Sequence, residues 1–380
     1  MAFKGWIPDW AESRALDVGR FVDWETLRSD FGDYMLGFGS SDTAFGGPAD
    51  GSVRAVPVNI QPKGLVMYPK AAFEEAGYAV PTTWQELIAL SDRIVADGAT
   101  PWCFGFDSGE GSGWPGTDWL ESLVLRVGGV DVYDAWTRGE VGFTSPAVME
   151  AGRYADSVIF APGYVRGGPA SISRQFFTVP SEVLDRDDIT GESEPECWLD
   201  HQPSFSLNPD WAPEGAEIGT NLDFFVLPSL DGSQPTPMTG DAELLSALVD
   251  RPEVRAFMEF VASPEWGQVW AHNAGVGFTS PNRRFDASAY GDASDPAVAV
   301  QVRLSELAHS ALQSDRFRFD ASDAMPNQIG GMTDEFRPGA FWQGMLDWVD
   351  RTRSLEQVFA DIDAEWATVR TETASPPPDG

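Results

Sequence analysis

Fifteen tryptophans in 380 residues narrow the chemistry open to this chain. Several are flanked by glycine, proline and aspartate rather than by aliphatic residues, as in Gly113-Trp114-Pro115 and Asp118-Trp119. An indole plane beside a carboxylate suits a ligand with apolar C–H faces and hydroxyls, which is what a sugar ring presents. Any one tryptophan is more often part of a core, so its surroundings have to decide. Trp114, in Gly-Ser-Gly-Trp-Pro-Gly, has no helix to belong to, and reads as a ligand platform or an interface anchor. Other chemistries find less support. No Gly-x-Ser-x-Gly elbow, Walker loop or GxGxxG turn occurs. Two cysteines and three histidines lack metal-ligand spacing, so neither a metal nor a cofactor is expected. The 59 acids could hold a glycoside hydrolase's carboxylate pair, but no pair stands out.

The elements that would position these residues follow from periodicity and caps. Gly64 to Tyr68 is a short apolar run of buried-strand type. Pro69 to Gly77 reads as a short helix closed by glycine. Thr83-Trp-Gln-Glu86 is a capping box, and Trp84, Leu87, Ile88, Ile94 and Val95 then recur at helical spacing up to Gly98. Helical patterns also cover 254–261, 300–312, 340–349 and 354–369, and 223–230 looks like a strand. Loops are expected at 46–52, 109–116, 185–196 and 330–339. Strands alternating with helices indicate an α/β class with largely parallel sheets.

The wording of Pro57 to Asp107 adds a resemblance. A strand ending in an aromatic, Lys70-Ala-Ala-Phe-Glu-Glu-Ala-Gly77 and Pro81-Thr-Thr-Trp-Gln-Glu-Leu87 follow one another as in the extracellular solute-binding proteins of carbohydrate ABC importers. Asp118-Trp119, Gly128-Gly129, Phe224 to Leu230, Pro264-Glu-Trp266, Asp323-Ala-Met-Pro-Asn327 and Ala340-Phe-Trp342 are similar to later motifs of that family, in order. Pro101-Trp-Cys103, Gly113-Trp-Pro115 and Cys197 to Gln202 are closest to its α-glucoside-binding branch.

The resemblance implies a two-lobed, maltose-binding-like (type II periplasmic-binding-protein) α/β fold, hinged around a ligand cleft and without catalysis. The chain would cross between lobes near 60–64, 237–240 and 304–310. Residues 1–62 with 238–308 would form the first, amino-terminal lobe, 63–237 with 309–372 the second, and 373–380 a disordered tail. The family's first strand, helix and second strand have no evident counterpart, and neither has its leader, so part of the first lobe is expected to be missing. The partners implied are an oligosaccharide such as a small α-glucoside and a membrane permease, with the protein a periplasmic or extracellular monomer.

The same resemblance proposes a ligand set. Trp342 matches the stacking aromatic of the family's "A-F-W", or lies on the buried face of helix 340–349. Trp198 stands where another stacking aromatic is placed. Asp118 and Trp119 occupy the position of a carboxylate or tyrosine beside an aromatic, although Trp119 could equally be a core residue of a helix ending at Gly128. Gln61 and Lys63 lie at the first crossover. Asp241, at the second, could accept from hydroxyls or cap a helix over 242–249. His201 shares the Trp198 segment. Cys103 and Cys197 could pair, holding the Trp114 and Trp198 loops together, or remain two buried thiols.

Charge bounds the partners. A net charge of −34, from 59 acids against 25 bases, argues against nucleic acid, whose phosphates would be repelled. Lysine occurs only at 4, 63 and 70, which suits a high-salt setting or an arginine-favouring codon bias. The same balance keeps a cationic ligand open as an alternative to sugar.

Overall fold

Among the described residues, seven strands make two small sheets, and the chain passes between them at short junctions. The computed structural model describes residues 14–38, 53–178, 197–208, 211–212, 215–274, 277–333 and 337–374. Sheet one has the order β1 (Val56–Pro62), β6 (Met238–Leu245), β7 (Phe317–Phe319). Sheet two has the order β3 (Trp102–Cys103), β4 (Leu199–Gln202), β2 (Leu65–Pro69), β5 (Leu222–Val226). Only Lys63 and Gly64 separate β1 from β2, so one turn carries the chain from the first sheet into the second.

The helices are α1 (Trp24–Phe38), α2 (Lys70–Glu75), α3 (Trp84–Ala96), α4 (Trp114–Thr137), α5 (Pro146–Ile159), α6 (Pro252–Val261), α7 (Pro264–Ala274), α8 (Pro296–Gln313), α9 (Ala321–Ala324), α10 (Ala340–Val349) and α11 (Leu355–Ala374). The capping box works one residue earlier than its simplest form. Glu86 N–H donates to Thr83 Oγ1 at 3.2 Å, while the Glu86 carboxylate accepts from the N–H and hydroxyl of Thr82, both at 2.7 Å. Gly129 (φ 71, ψ −176) breaks the helical path of α4 near the expected end at Gly128.

Sheet two is covered by α3, α4, α5, α10 and α11 around an aromatic-rich core that includes Trp102, Trp119, Trp136, Phe143, Phe341 and Trp348. The buried indole of Trp102 donates to Ser91 Oγ at 3.1 Å, so this core leaves that N–H satisfied. A second core joins sheet one to α1 and α8 through Val56, Ile60, Leu244, Leu304, Phe317 and Phe319. It runs on into sheet two through Leu65, Met67, Phe224, Cys103 and Cys197. Apolar contact is therefore continuous across the junction.

Several expectations change. The sheets are not largely parallel: β1–β6, β2–β4 and β2–β5 are antiparallel, and only β3–β4 and β6–β7 run parallel. Period-two burial specifies a face, not the direction of the neighbouring strand. Residues 242–245 continue β6 rather than opening a helix, because Ala242 and Leu244 alternate inward with Asp241 and Glu243 more exposed. No crossover occurs at 304–310, where α8 is uninterrupted and buries Val300, Leu304, Ala308 and Ala311 on one face. β7 pairs with β6, so Phe317–Phe319 lies in sheet one. Trp114 does have a helix: it opens α4, with Gly113 at the N-cap and Pro115 in the first turn, a start signal that the surrounding glycines masked. The expected loops at 46–52 and 185–196, the amino-terminal ten residues and the tail beyond Ala374 lie outside the described residues.

Cys103 and Cys197 are joined in a disulfide, with Cα atoms 5.5 Å apart and a sequence separation of 94. The bond ties β3 to the segment entering β4 inside the shared core. Replacing both cysteines with alanine should lower unfolding free energy by about 2–4 kcal/mol, since closing so long a loop restrains the unfolded chain. Urea denaturation of the two proteins would measure it, and equal stabilities would refute it.

Candidate functional site

Each wall of the site comes from a different part of the chain, beginning with the carboxylates. β1 and β6 run antiparallel with Gln61 opposite Asp241, which sets both beside the β1–β2 junction. After β7, Asp320 caps α9 by accepting from the N–H groups of Ser322 (2.6 Å) and Asp323 (3.1 Å), and its own N–H donates to Gly240 O at 2.9 Å. α4 brings Asp118 and Glu121 from the side of sheet two, and a Glu121 oxygen accepts from Ala321 N–H at 2.6 Å.

At the centre stands the Lys63 ammonium, in a residue only 4% exposed. It lies 3.0 Å from Asp118 Oδ1 and 3.2 Å from Asp241 Oδ1, and also bonds Asp320 Oδ2. The contacts with Asp118 and Asp320 are hydrogen bonds, and that with Asp241 is an ion pair. Burial opposes the charge on Lys63, yet Asp118, Asp241, Asp320 and Glu121 together hold its pKa well above the ordinary lysine value. Burial raises the carboxyls of Asp118, Glu121 and Asp323 well above the usual carboxylate range, with Lys63 pulling the other way. Asp241 is pushed up to about 6 by burial, against the pull of Lys63. Asp320 alone goes down: burial is outweighed by Lys63, Ser322 and the Asp323 N–H. One ammonium is thus shared among five acids, and Asp320 is the one most firmly ionised.

Above this floor is a cavity of about 320 Å³. Its lining has a polar part, Gln61, Lys63, Asp241, Asp320, Ser322 and Asp323, and an apolar part, Trp114, Phe177, Pro203, Phe205, Trp211 and Trp342. The aromatic wall holds itself together: Trp114 meets Phe177 edge-on at 5.1 Å, and Trp211 lies 5.7 Å from Phe205 and 6.0 Å from Phe177. Gly113 lets α10 approach α4, because a Cβ on it would stand 2.2 Å from the Trp342 carbonyl oxygen, and its φ of +105° suits glycine alone. Trp342 is 5% exposed, and its Nε1 has no partner among the described residues.

Of the nine residues expected to bind ligand, Trp342, Trp114, Asp241, Gln61 and Lys63 line this cavity. The other four lie behind it. Asp118 reaches it only through Lys63. Trp119 is a core residue of α4, 5.1 Å from Trp102 and 4.6 Å from the His201 ring. Trp198 packs edge-on against Tyr78 at 5.0 Å, inside the core of sheet two. His201, on β4, is held neutral with its pKa near about 3 by burial and by the charges of Arg126 and Lys63. Phe177, Phe205, Trp211, Asp320, Ser322 and Asp323 were not anticipated. Trp211, in Asp-Trp-Ala-Pro, carries the aspartate and proline flanks that mark Trp114 and Trp119, and Asp323 begins a motif of the family resemblance.

Two carboxylate triplets, Asp118–Glu121–Asp320 and Asp241–Asp320–Asp323, bring oxygens within 4.8 Å of one another, close enough to hold a cation. The Lys63 ammonium already bonds a member of each, so a metal would have to displace it.

Acids that hold protons more tightly when folded give stability a definite slope with pH. Asp118, Glu121, Asp241 and Asp323 take up protons on folding between the unfolded carboxylate range near ~4 and their raised folded values. Their contribution is present at the acid end of that window and is lost as pH rises through about 6 for Asp241. Asp320 has the opposite sign, but only below the ordinary carboxylate range. His201 and His309, held down by burial, act with the opposite sign below the ordinary imidazole range, so the prediction is a difference between two proteins. The melting temperature of Asp241→Asn relative to the natural chain should rise between pH 5 and pH 7.5 at fixed ionic strength. Scanning fluorimetry would show it, and a difference that stays constant or falls over this interval would contradict it.

Comparison with known proteins agrees with this architecture. The sequence model of the bacterial extracellular solute-binding proteins matches residues 3–170. The alpha-glucosides-binding periplasmic protein AglE of Rhizobium meliloti is 36% identical over 322 residues, covering 83% of this chain and 64% of AglE. The chain thus spans slightly less than two thirds of that relative. The osmoprotective compounds-binding protein GgtB of Synechocystis sp. is 30% identical over 320 residues, covering 83% of this chain and 69% of GgtB. Among solved structures, the solute receptor AcbH, with an exclusive substrate preference for β-D-galactopyranose, superposes with a TM-score of 0.70 at 17% identity, over 95% of this chain and 81% of AcbH. Maltose-bound T. maritima MalE3 gives 0.60 at 17% identity, over 94% and 82%. The two-lobed, maltose-binding-like fold is thereby shared. The family and both curated relatives are binding proteins, which removes the glycoside-hydrolase alternative. With fold and sequence likeness in agreement, this chain belongs to the bacterial extracellular solute-binding proteins.

Proposed function

We propose that this chain captures a small oligosaccharide of α-glucoside type in the cavity between its two sheets and delivers it to an ABC permease in the membrane. The observation that carries the reading is the mixed lining of the cavity. Trp114, Phe177, Phe205, Trp211 and Trp342 share it with Asp241, Asp323, Gln61 and Ser322. A sugar needs both, since its C–H faces stack on rings while its hydroxyls need fixed acceptors and donors. The volume of about 320 Å³ is at the low end of the ~300–1,000 Å³ typical of small-molecule sites, which favours a ligand of one or two rings. The α-glucoside assignment draws on the likeness to AglE.

In this reading the lobes divide at three passages, 63–64, 227–237 and 320, and bending there closes the cleft. The permease would recognise the closed form, so ligand acts through its higher affinity for that form. A cationic ligand is the second reading, favoured by Asp241, Asp320 and Asp323 outnumbering Lys63 on the cavity wall.

A thermal-shift panel of maltose, trehalose, sucrose, glucose and spermidine separates the two. A ligand that binds only the folded chain raises its melting temperature by mass action. The expected result is a shift with an α-glucoside and none with spermidine; a shift with spermidine alone would overturn the sugar reading. Trp342→Ala should weaken binding of the responding sugar by at least ~1 kcal/mol, the scale of one aromatic contact. Calorimetry on variant whose melting shows it folded would check this, and an unchanged Kd would remove Trp342 from the site.

A further inference from the structure

We propose that Lys63 is a positioning residue rather than a ligand contact: its ammonium fixes the aim and charge of Asp241 and joins carboxylates from both lobes, so that sugar affinity is governed through it. This rests on the sugar-binding reading above and deepens it. Three observations support it.

The first is what surrounds the ammonium. Lys63 is 4% exposed, and its ammonium donates to Asp118 and Asp320 and is ion-paired with Asp241 at 3.2 Å. Carboxylates on three sides leave little of it to reach a hydroxyl. Asp241, with 14% of its side chain exposed, is the member of that trio that most faces the cavity.

The second is where those carboxylates come from. Asp118 is on α4, packed in the core of sheet two. Asp241 is on β6 of sheet one, and Asp320 sits where the chain leaves β7 for α9. Lys63 itself is the first passage between the sheets, and its backbone N–H donates to Thr239 O at 2.7 Å. One side chain therefore touches both lobes and two of their connections.

The third is the choice of residue. The chain uses arginine almost everywhere, with lysine at only three positions, yet lysine stands here. A compact ammonium can serve three converging carboxylates, whereas a planar guanidinium presents a fixed fork. The ammonium also lies 5.7 Å from the centre of the Trp114 ring, so it adjoins the aromatic wall as well.

The groups that face Asp241 are Lys63 from the β1–β2 junction, Asp320 from the α9 cap and Asp323 on α9, and Asp118 on α4 also feels its charge. Asp118 and Glu121 on α4, and Asp323 on α9, share the same ammonium. Arg126 on α4 and His201 on β4 lie behind Lys63, and His201 feels its charge. Removing Lys63 leaves Asp241 buried beside Asp320 without its counter-ion, which favours the protonated carboxyl and spoils it as an acceptor at neutral pH. Removing the charge of Asp320 has the opposite effect, because a like charge goes and more of the ammonium falls to Asp241.

The test reads Asp241 directly in the ligand-free chain. With aspartate labelled by ¹³C at the side-chain carboxyl, the Asp241 resonance is identified by its loss in Asp241→Asn and followed against pH. The midpoint should lie near about 6 in the natural chain. It should rise by about one pH unit or more in Lys63→Met, and fall in Asp320→Asn, which keeps an oxygen to cap α9. Maltose affinity by calorimetry should drop at least about fivefold in Lys63→Met at pH 7, and its pH profile should move with the resonance in both variants. If Lys63→Met does not fold, the downward shift in Asp320→Asn decides the matter. Midpoints that stay put overturn the inference, as does maltose binding with the same pH profile in all three proteins. If maltose binds to none of them while the midpoints move as stated, the sugar reading fails and the role of Lys63 in holding Asp241 stands.

Discussion

A single ammonium, buried where the chain first passes between its sheets, is the constraint around which the site is organised. A charge removed from water is tolerated only when paired and hydrogen-bonded, and a broken buried pair is strongly destabilising. Lys63 meets that condition through Asp118, Asp241 and Asp320, which obliges α4, β6 and the β7–α9 turn to converge on one point. The remaining acids, Glu121 and Asp323, have no such cation of their own, and burial pushes both well above the usual carboxylate range. The site is thus a coupled cluster around one ammonium, not a set of independent salt bridges.

The aromatic wall answers this floor in kind. Trp114 opens α4 only four residues before Asp118, so the helix that delivers a partner to Lys63 also delivers a ring to the cavity. The absence of a side chain on Gly113 allows α10 to come down against it and place Trp342 alongside. Phe177, Phe205 and Trp211 complete the wall from segments near β4, which the disulfide anchors to β3. Stability and site share the same supports: the cystine and the α4–α10 contact hold the core of one lobe and also set the distance between rings and carboxylates.

What could be read from sequence follows the reach of local rules. Caps and helical spacing act over a few residues, so α3, α10 and the short helix ending at Gly77 were legible, as was the strand at Gly64 to Tyr68. Strand direction depends on partners distant in sequence, and the antiparallel pairing of β1 with β6 left no local trace. Of the residues expected at the site, Trp342, Trp114, Asp241, Gln61 and Lys63 line the cavity. Trp198, assigned through the family resemblance, and Trp119, for which a core position in a helix was the alternative, both pack in the core of sheet two. The partners of Lys63 were not legible, because Asp118 and Asp320 lie 55 and 257 positions away in sequence.

The same floor gives a physical reason why an empty cleft would stay open, on the proposed reading. Closing the lobes over Asp241 and Asp323 without ligand would strip water from carboxyl groups whose nearby cation is already committed to other acids. An unsatisfied buried polar group costs about 1–3 kcal/mol, and a charged one more. A sugar brings hydroxyl donors for those oxygens and C–H faces for the rings without adding charge, so it removes the penalty as it enters. A multiply charged cation would also satisfy the carboxylates, but it would compete with Lys63 for them and pull apart the cluster that holds the lobes in register. Closure coupled to a neutral, hydroxyl-rich ligand is therefore the arrangement that keeps the buried ion pair intact in both states, and it needs no moving part beyond the hinge itself.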